Sequence, residues 1–255
     1  MPTLPKYVLV KILKSIKLSM AKIVILSISL IILTFNPVYG HKLISHDGAN
    51  LGFDTALKIP DHKISWAIYE DLKIDETKFY SFEAKKGDSF YASLVIPKTA
   101  GLEDYAPTIF LAKPDTQNED KIDETSIIQY QKFAYEGGYP GAEFYEPFGQ
   151  VTYWQRQEIT STIPEDGTYF IIIMDEKNQD GKYSLAVGTI EDFSGADFFT
   201  VLPKAWFDTK LFVGDFLSLG ILFSIIFTIP AILIIKGIRK KNSKKGSDFK
   251  KSVEF

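Results

Sequence analysis

Thr77–Ile96 reads TKFYSFEAKKGDSFYASLVI. Two segments rich in aromatic and β-branched residues, Thr77–Ala84 and Ser89–Ile96, flank the polar, glycine-bearing turn Lys85-Lys86-Gly87-Asp88. That pattern predicts two strands joined as a hairpin, with Phe79 and Phe82 near the core. Pro97 ends the second strand, because proline brings no donor to a ladder.

Working outward, the same signals recur. Lys63–Glu70 (KISWAIYE) sets Ile64, Trp66 and Ile68 on one face with mixed alternates on the other, as a half-buried strand does. Pro107–Ala112 (PTIFLA) is a short strand, and Val151–Thr162 (VTYWQRQEITST) a longer one, with Tyr153 on one face and Trp154 and Arg156 on the other. Thr168–Met174 (TYFIIIM) is apolar almost throughout, which predicts burial on both sides. Asp175–Gly181 is a turn, and Lys182–Gly188 (KYSLAVG) is expected to close a second hairpin. That turn carries Glu176-x-Asn178-x-Asp180-Gly181, part of a calcium-loop pattern, but Val187 stands where its final acid belongs, so a plain Asp-Gly turn is expected.

Between these strands lies Lys113–Gln150, too long for a passive connection and too aromatic for disorder. Its acids Asp115, Glu119, Asp120, Asp123 and Glu124 precede KFAYEGGYPGAEFYEPFGQ. Tyr135, Tyr139, Phe144, Tyr145 and Phe148, with Trp154 beside them, are the candidate surface for stacking on a sugar or a protein partner. The competing reading makes the insert a loop folded over a sheet edge, with these rings as its own small core.

The strand motifs carry a resemblance. Tyr80-Ser81-Phe82, Gly87, Gly167-Thr168-Tyr169 and Gly181-Lys182-Tyr183-Ser184-Leu185 follow the pattern of the pre-peptidase C-terminal domain family, over about half of the strand-bearing region. The chain also looks like membrane-anchored, exported prokaryotic proteins that share its Ile64–Tyr69 (ISWAIY) and Glu146-Pro147-Phe148…Tyr153-Trp154 segments. The resemblance implies an all-β fold, a jelly-roll-like antiparallel β-sandwich, that binds or chaperones and does not catalyse. The insert at 113–150 and the membrane anchor described next depart from that family, and no protease accompanies them.

The chain ends speak of location. Phe216–Ile235, FLSLGILFSIIFTIPAILII, holds twenty residues without a charge, enough at about 1.5 Å per residue to cross a hydrocarbon core of about 30 Å. With its flanks it forms a predicted transmembrane helix over 211–236, followed by a basic tail over 237–255. Lys236, Arg239, Lys240, Lys241, Lys244, Lys245, Lys250 and Lys251 place that end in the cytoplasm. Phe199, Trp206 and Phe207 are expected at the membrane interface, and residues 191–210 as a short lead to it. Residues 1–40 read as a signal helix: Lys14, Lys17 and Lys22 precede the apolar Ile23–Phe35, and Val38-Tyr39-Gly40 suits cleavage. Met20 opens an equally complete, shorter signal. The exported domain is then 41–205, held outside the cell membrane by a single pass.

Charge narrows the partners. Between His41 and Lys210 lie 16 lysines and arginines against 29 acids, a net of −13, the wrong sign for nucleic acid. There is no cysteine, so disulfides, thiolate catalysis and cysteine-bound zinc are excluded. No phosphate loop, nucleophile elbow or zinc-protease motif occurs. These residues predict a binding or accessory module without catalysis or cofactor, working beside another envelope protein or a surface glycan. The alternative is copper binding. Cleavage after Gly40 would give His41 a free α-amine beside its ring, and His46 or His62 would complete a nitrogen site.

Overall fold

The computed structural model describes residues 41–114, 127–193, 197–228, 232, 235 and 236. The predicted signal (1–40), the basic tail (237–255) and the acids from Asp115 to Glu124 lie outside them. Eleven strands are described: β1 Lys42–Leu43, β2 Leu57–Lys58, β3 Trp66–Leu72, β4 Thr77–Ala84, β5 Ser89–Pro97, β6 Thr108–Pro114, β7 Ile127–Phe133, β8 Glu143–Glu146, β9 Val151–Thr162, β10 Gly167–Met174 and β11 Gly181–Val187. One sheet has the order β1-β3-β11-β5-β9-β8 and the other β2-β4-β10-β6-β7. The eight long strands pair antiparallel, while β1 and β2 add to β3 and β4 in parallel. The all-β sandwich expected from the sequence is therefore present. Among the long strands, β3-β11-β5-β9 faces β4-β10-β6-β7, the double Greek-key winding of a jelly roll.

This winding corrects both expected hairpins. β4 and β5 lie in opposite sheets, as do β10 and β11. The turn after Ala84 does not fold its strands against each other. Lys86 donates its N–H to Asp166 Oδ1 at 2.7 Å and Gly87 donates to the Ile163 carbonyl at 2.8 Å, so this arch is bonded to the arch that follows β9. Phe82 and Phe90 meet across the sandwich instead, their rings stacked at 5.2 Å. The insert is corrected too. It is no mere loop, for β7 forms one edge of the five-stranded sheet and β8 one edge of the six-stranded sheet.

Alternate residues of each strand fill the core: Tyr80 and Phe82 of β4, Phe90, Leu94 and Ile96 of β5, Ile171 and Ile173 of β10. Phe79, placed with Phe82 in the sequence reading, points the other way. It joins Phe170 and Ile172 in a second cluster on the outer face, capped by Phe53 with ring centroids 4.8 Å and 5.0 Å from Phe79 and Phe170. β10 is thus buried on both sides, as its apolar run predicts.

Four polar side chains pair with one another inside the sandwich. Glu70 of β3 and Lys78 of β4, in opposite sheets, form a buried ion pair at 3.5 Å, and Lys78 also donates to the Gly48 carbonyl at 2.9 Å. Tyr80 donates to Glu70 at 3.3 Å and shares a 2.6 Å hydrogen bond with Tyr183. Two ions buried together remain tolerable only with such supporting bonds.

The lead to the apolar segment is a helix, α1, Asp197–Phe212, with Pro203 inside it. Gly214 (φ 71) closes it, with Asp215 donating to the Lys210 carbonyl at 2.9 Å. Asp215 then caps the next helix, accepting from the Ser218 N–H at 3.1 Å, and pairs with the buried Lys210 at 2.8 Å. Residues 216–228 are helical. Among the described residues no helix is long and apolar enough to cross a membrane, and much of the predicted span beyond 228 lies outside them.

Two glycines with similar backbones test the packing. At Gly87 (φ 87) an added Cβ meets nothing within 4 Å, while at Gly188 (φ 76) it would lie 2.2 Å from the Ile64 carbonyl oxygen. Gly87→Ala should cost about 1 kcal/mol from left-handed strain alone, and Gly188→Ala about 3 kcal/mol or more, read as urea midpoints.

Candidate functional site

The outer face of the six-stranded sheet is hollow. Its floor is built of short side chains, Ala67 of β3, Ser184 and Ala186 of β11, and Ser93 and Val95 of β5, around a cavity of about 300 Å³. Its rim is aromatic: Tyr69, Tyr91, Phe144, Tyr153, and Phe148 just past β8. Glu146, Gln155 and Glu158 supply polar groups, and His41 and Leu43 line the β1 side.

A β-bulge sets this lining. Ser93 pairs with Glu158 and Val95 with Gln155, so Arg156 and Gln157 together oppose Leu94. The extra residue shifts the alternation of β9. Tyr153 and Gln155 face the hollow before it, and Glu158 faces the hollow after it. Arg156 is buried. It donates to the carbonyls of Tyr105 (2.8 Å), Pro140 (2.6 Å) and Glu103 (3.1 Å), binding two loops to one end of the sandwich.

α1 forms one wall. Ala205, Thr209 and Phe212, at i, i+4 and i+7, lie on one helix face. Ala205 lines the cavity, and the Phe212 ring stacks on Tyr69 at 4.7 Å. Thr209 donates its hydroxyl to the Ala205 carbonyl at 2.7 Å, so Tyr69 is the donor in their 2.8 Å contact. Burial pushes the Tyr69 phenol up to about 12 and raises that of Tyr153 as well. Both hydroxyls stay protonated and act as hydrogen-bond groups.

Glu146 ends β8, and its carboxylate accepts from the N–H groups of Phe148 (2.7 Å) and Gly149 (2.5 Å) in the turn to β9. Burial raises its carboxyl above the usual range, against the opposing pull of those N–H groups and of Lys210. At Gly149 a Cβ would lie 2.6 Å from Thr209 Cγ2, so only glycine lets this turn approach α1. Glu158 has a looser setting, with Tyr91 donating to it at 3.3 Å.

The ring residues predicted from the insert are divided. Phe144 and Phe148 line the hollow. Tyr145, the next residue on β8, is exposed and lies outside that lining. Tyr135 and Tyr139 pair with each other at 5.4 Å and with the Arg156 guanidinium at 5.0 Å and 5.4 Å, the small local cluster of the competing reading. Trp154 is a correction: it is 4% exposed and belongs to the main core, where no ligand reaches it. The sequence reading missed Tyr69, Tyr91, Glu146 and Glu158. The available signal was aromatic residues at the outward positions of β3 and β5, beside Ala67 and Ser93.

The histidines do not converge on copper. His41 Nδ1 bonds Ser65 Oγ, while His46 meets the Tyr69 carbonyl, four residues or about 13 Å further along. Both His46 nitrogens are engaged, Nε2 with that carbonyl and Nδ1 with the Gly48 N–H. His62 is 2% exposed and bonds the Glu83 carbonyl through Nδ1. Among the described residues no group of three or more histidines or carboxylates is placed to hold a metal. In the 175–181 turn Glu176 pairs with Lys132, and Asn178 accepts from the Asp75 N–H.

No family model and no curated protein matches the chain. Solved structures match part of the chain. The pre-peptidase C-terminal domain of a Bacillus anthracis collagenase is 16% identical over 51% of this chain and 91% of its own, with a TM-score of 0.28. Aeromonas hydrophila PliG, a periplasmic inhibitor of g-type lysozyme, is 12% identical over 58% and 98%, with a TM-score of 0.32. The Yersinia pseudotuberculosis-derived mitogen is 10% identical over 55% and 94%, with a TM-score of 0.29. The first is a domain of the type that the strand motifs resemble. At these scores the likeness says nothing of activity.

Burial lowers the pKa of His41 and of His62 below 6.5. A group whose folded pKa is depressed contributes stability above its unfolded pKa and loses it as pH falls through the folded value. Glu146, raised, acts in the opposite sense. The readout is therefore the difference between wild type and His41→Gln in urea midpoint at pH 7 and pH 5. The variant should lose less on acidification, by up to about 1 kcal/mol per pH unit.

Proposed function

We propose that this chain is a membrane-anchored binding module, without catalysis of its own, whose partner is an envelope component that docks in the hollow on the six-stranded sheet. The observation that carries the reading is the hollow itself: an aromatic rim and two carboxylates over a floor of small residues. Side chains of that kind form recognition surfaces, since rigid rings give area at little entropic cost and polar groups fix orientation. Anchoring is supported by the helix over 216–228, where Phe216 and Leu217 are 68% and 76% exposed and Phe227 also lies open. Exposed apolar area on that scale is costly in water and is relieved by lipid or a partner helix. With the uncharged run to Ile235 and the lysines beyond it, the sandwich lies outside the membrane and the basic tail inside.

A photo-crosslinking residue at position 144, in the full chain in native membranes, should give a discrete adduct. The same residue at the exposed position 130, on the other sheet, should give none. Equal labelling at both positions, or none at 144, would reject the hollow as the docking face. Protease added to intact cells should digest the sandwich and spare the tail.

A further inference from the structure

We propose that the hollow receives the cationic side chain, lysine or arginine, of a segment of the partner protein. The inference rests on the hollow being the binding face and concerns only what enters it. Among the described residues no lysine or arginine lines the cavity, whereas Glu146 and Glu158 and five aromatic rings do. An anionic ligand would find two carboxylates, while the Lys210 charge felt by Glu146 is already paired with Asp215. A cation finds carboxylates to pair with and ring faces whose quadrupoles attract it.

The scale agrees. A cavity of about 300 Å³ is at the small end for ligands and suits one long side chain rather than a folded surface. Two of the rim hydroxyls are not free to donate to a neutral sugar, since that of Tyr69 is already given to Thr209 and that of Tyr91 to Glu158. The two carboxylates differ in a useful way. Glu146 is fixed by two backbone N–H groups, and burial disfavours its charge. An entering ammonium or guanidinium removes that penalty. Glu158 is exposed, with one phenol on it, and is free to turn toward the incoming charge. At longer range the net of −13 from His41 to Lys210 steers a basic segment toward the domain.

The test uses the full chain, ¹⁵N-labelled, in lipid nanodiscs. It is titrated with acetylated, amidated Ala-Ala-X-Ala-Ala peptides in which X is arginine, lysine, norleucine or glutamate, and separately with maltotriose. The arginine and lysine peptides should shift amides around Tyr69, Glu146 and Glu158, binding about tenfold more tightly than the norleucine peptide, and more weakly in added salt. Glu158→Gln, at an exposed position, should remove most of that preference while the thermal unfolding midpoint stays in place. Equal binding of norleucine and arginine peptides would overturn the inference, as would an unchanged preference in Glu158→Gln. Maltotriose shifting the same amides while the cationic peptides do not would leave the hollow as a binding face and reject the ligand class. Absence of peptide binding, with the position 144 adduct intact, would reject the ligand class alone. Loss of that adduct would reject the docking face itself.

Discussion

Tyr69 joins the sandwich to the helix that follows it. Its hydroxyl donates to Thr209 and its ring lies on Phe212, at 2.8 Å and 4.7 Å. A buried hydrogen bond and an aromatic stack together contribute about 1–3 kcal/mol, a sizeable part of a typical domain's stability. Without that contact α1 loses a main attachment to the six-stranded sheet, and the wall of the hollow is weakened. The Phe212 carbonyl also accepts from Lys182 at 3.3 Å, and Lys204 of α1 donates to Ser45 at 2.6 Å, so the helix is held at both ends of this face. The rim of the candidate site and the path to the apolar helix therefore share one anchor.

Three of the described cations are spent inside the domain. Lys78 is buried against Glu70, Lys210 against Asp215, and Arg156 against backbone carbonyls and two tyrosine rings. Acids such as Glu158 and Glu143 stay on the outside. The surface offered to a partner is thus more negative than the residue count implies. Burying a guanidinium among carbonyls suits arginine in particular, whose planar fork reaches acceptors in several directions, as a lysine cannot.

Strand positions were legible because period-2 burial leaves a mark in each segment: Thr77–Ala84 and Val151–Thr162 are β4 and β9 to the residue. Pairing was not. A polar, glycine-bearing turn serves a hairpin and an arch equally well, and what decides between them is whether Phe82 and Phe90 lie side by side or face each other. The rings at 135–148 announced an unusual segment but not its division, because one residue of register separates Phe144 in the hollow from Tyr145 in solvent. α1 was hidden by Pro203 and by a pattern too mixed to announce a buried face. The bulge at Arg156-Gln157 left no local sign, though it decides that Glu158 faces the hollow.

The winding of the sheets also orders the assembly of the domain in time. β10 and β11 are the last of the described strands to be synthesised, yet each occupies the middle of its sheet, β10 between β4 and β6 and β11 between β3 and β5. Until Met174 has arrived the five-stranded layer has a gap at its middle, and until Val187 has arrived so does the six-stranded layer. Nearly every rewarding contact is distant along the chain, which slows folding. A nascent polypeptide built this way stays loose and threadable until almost the whole domain has been made, and then closes in one late step.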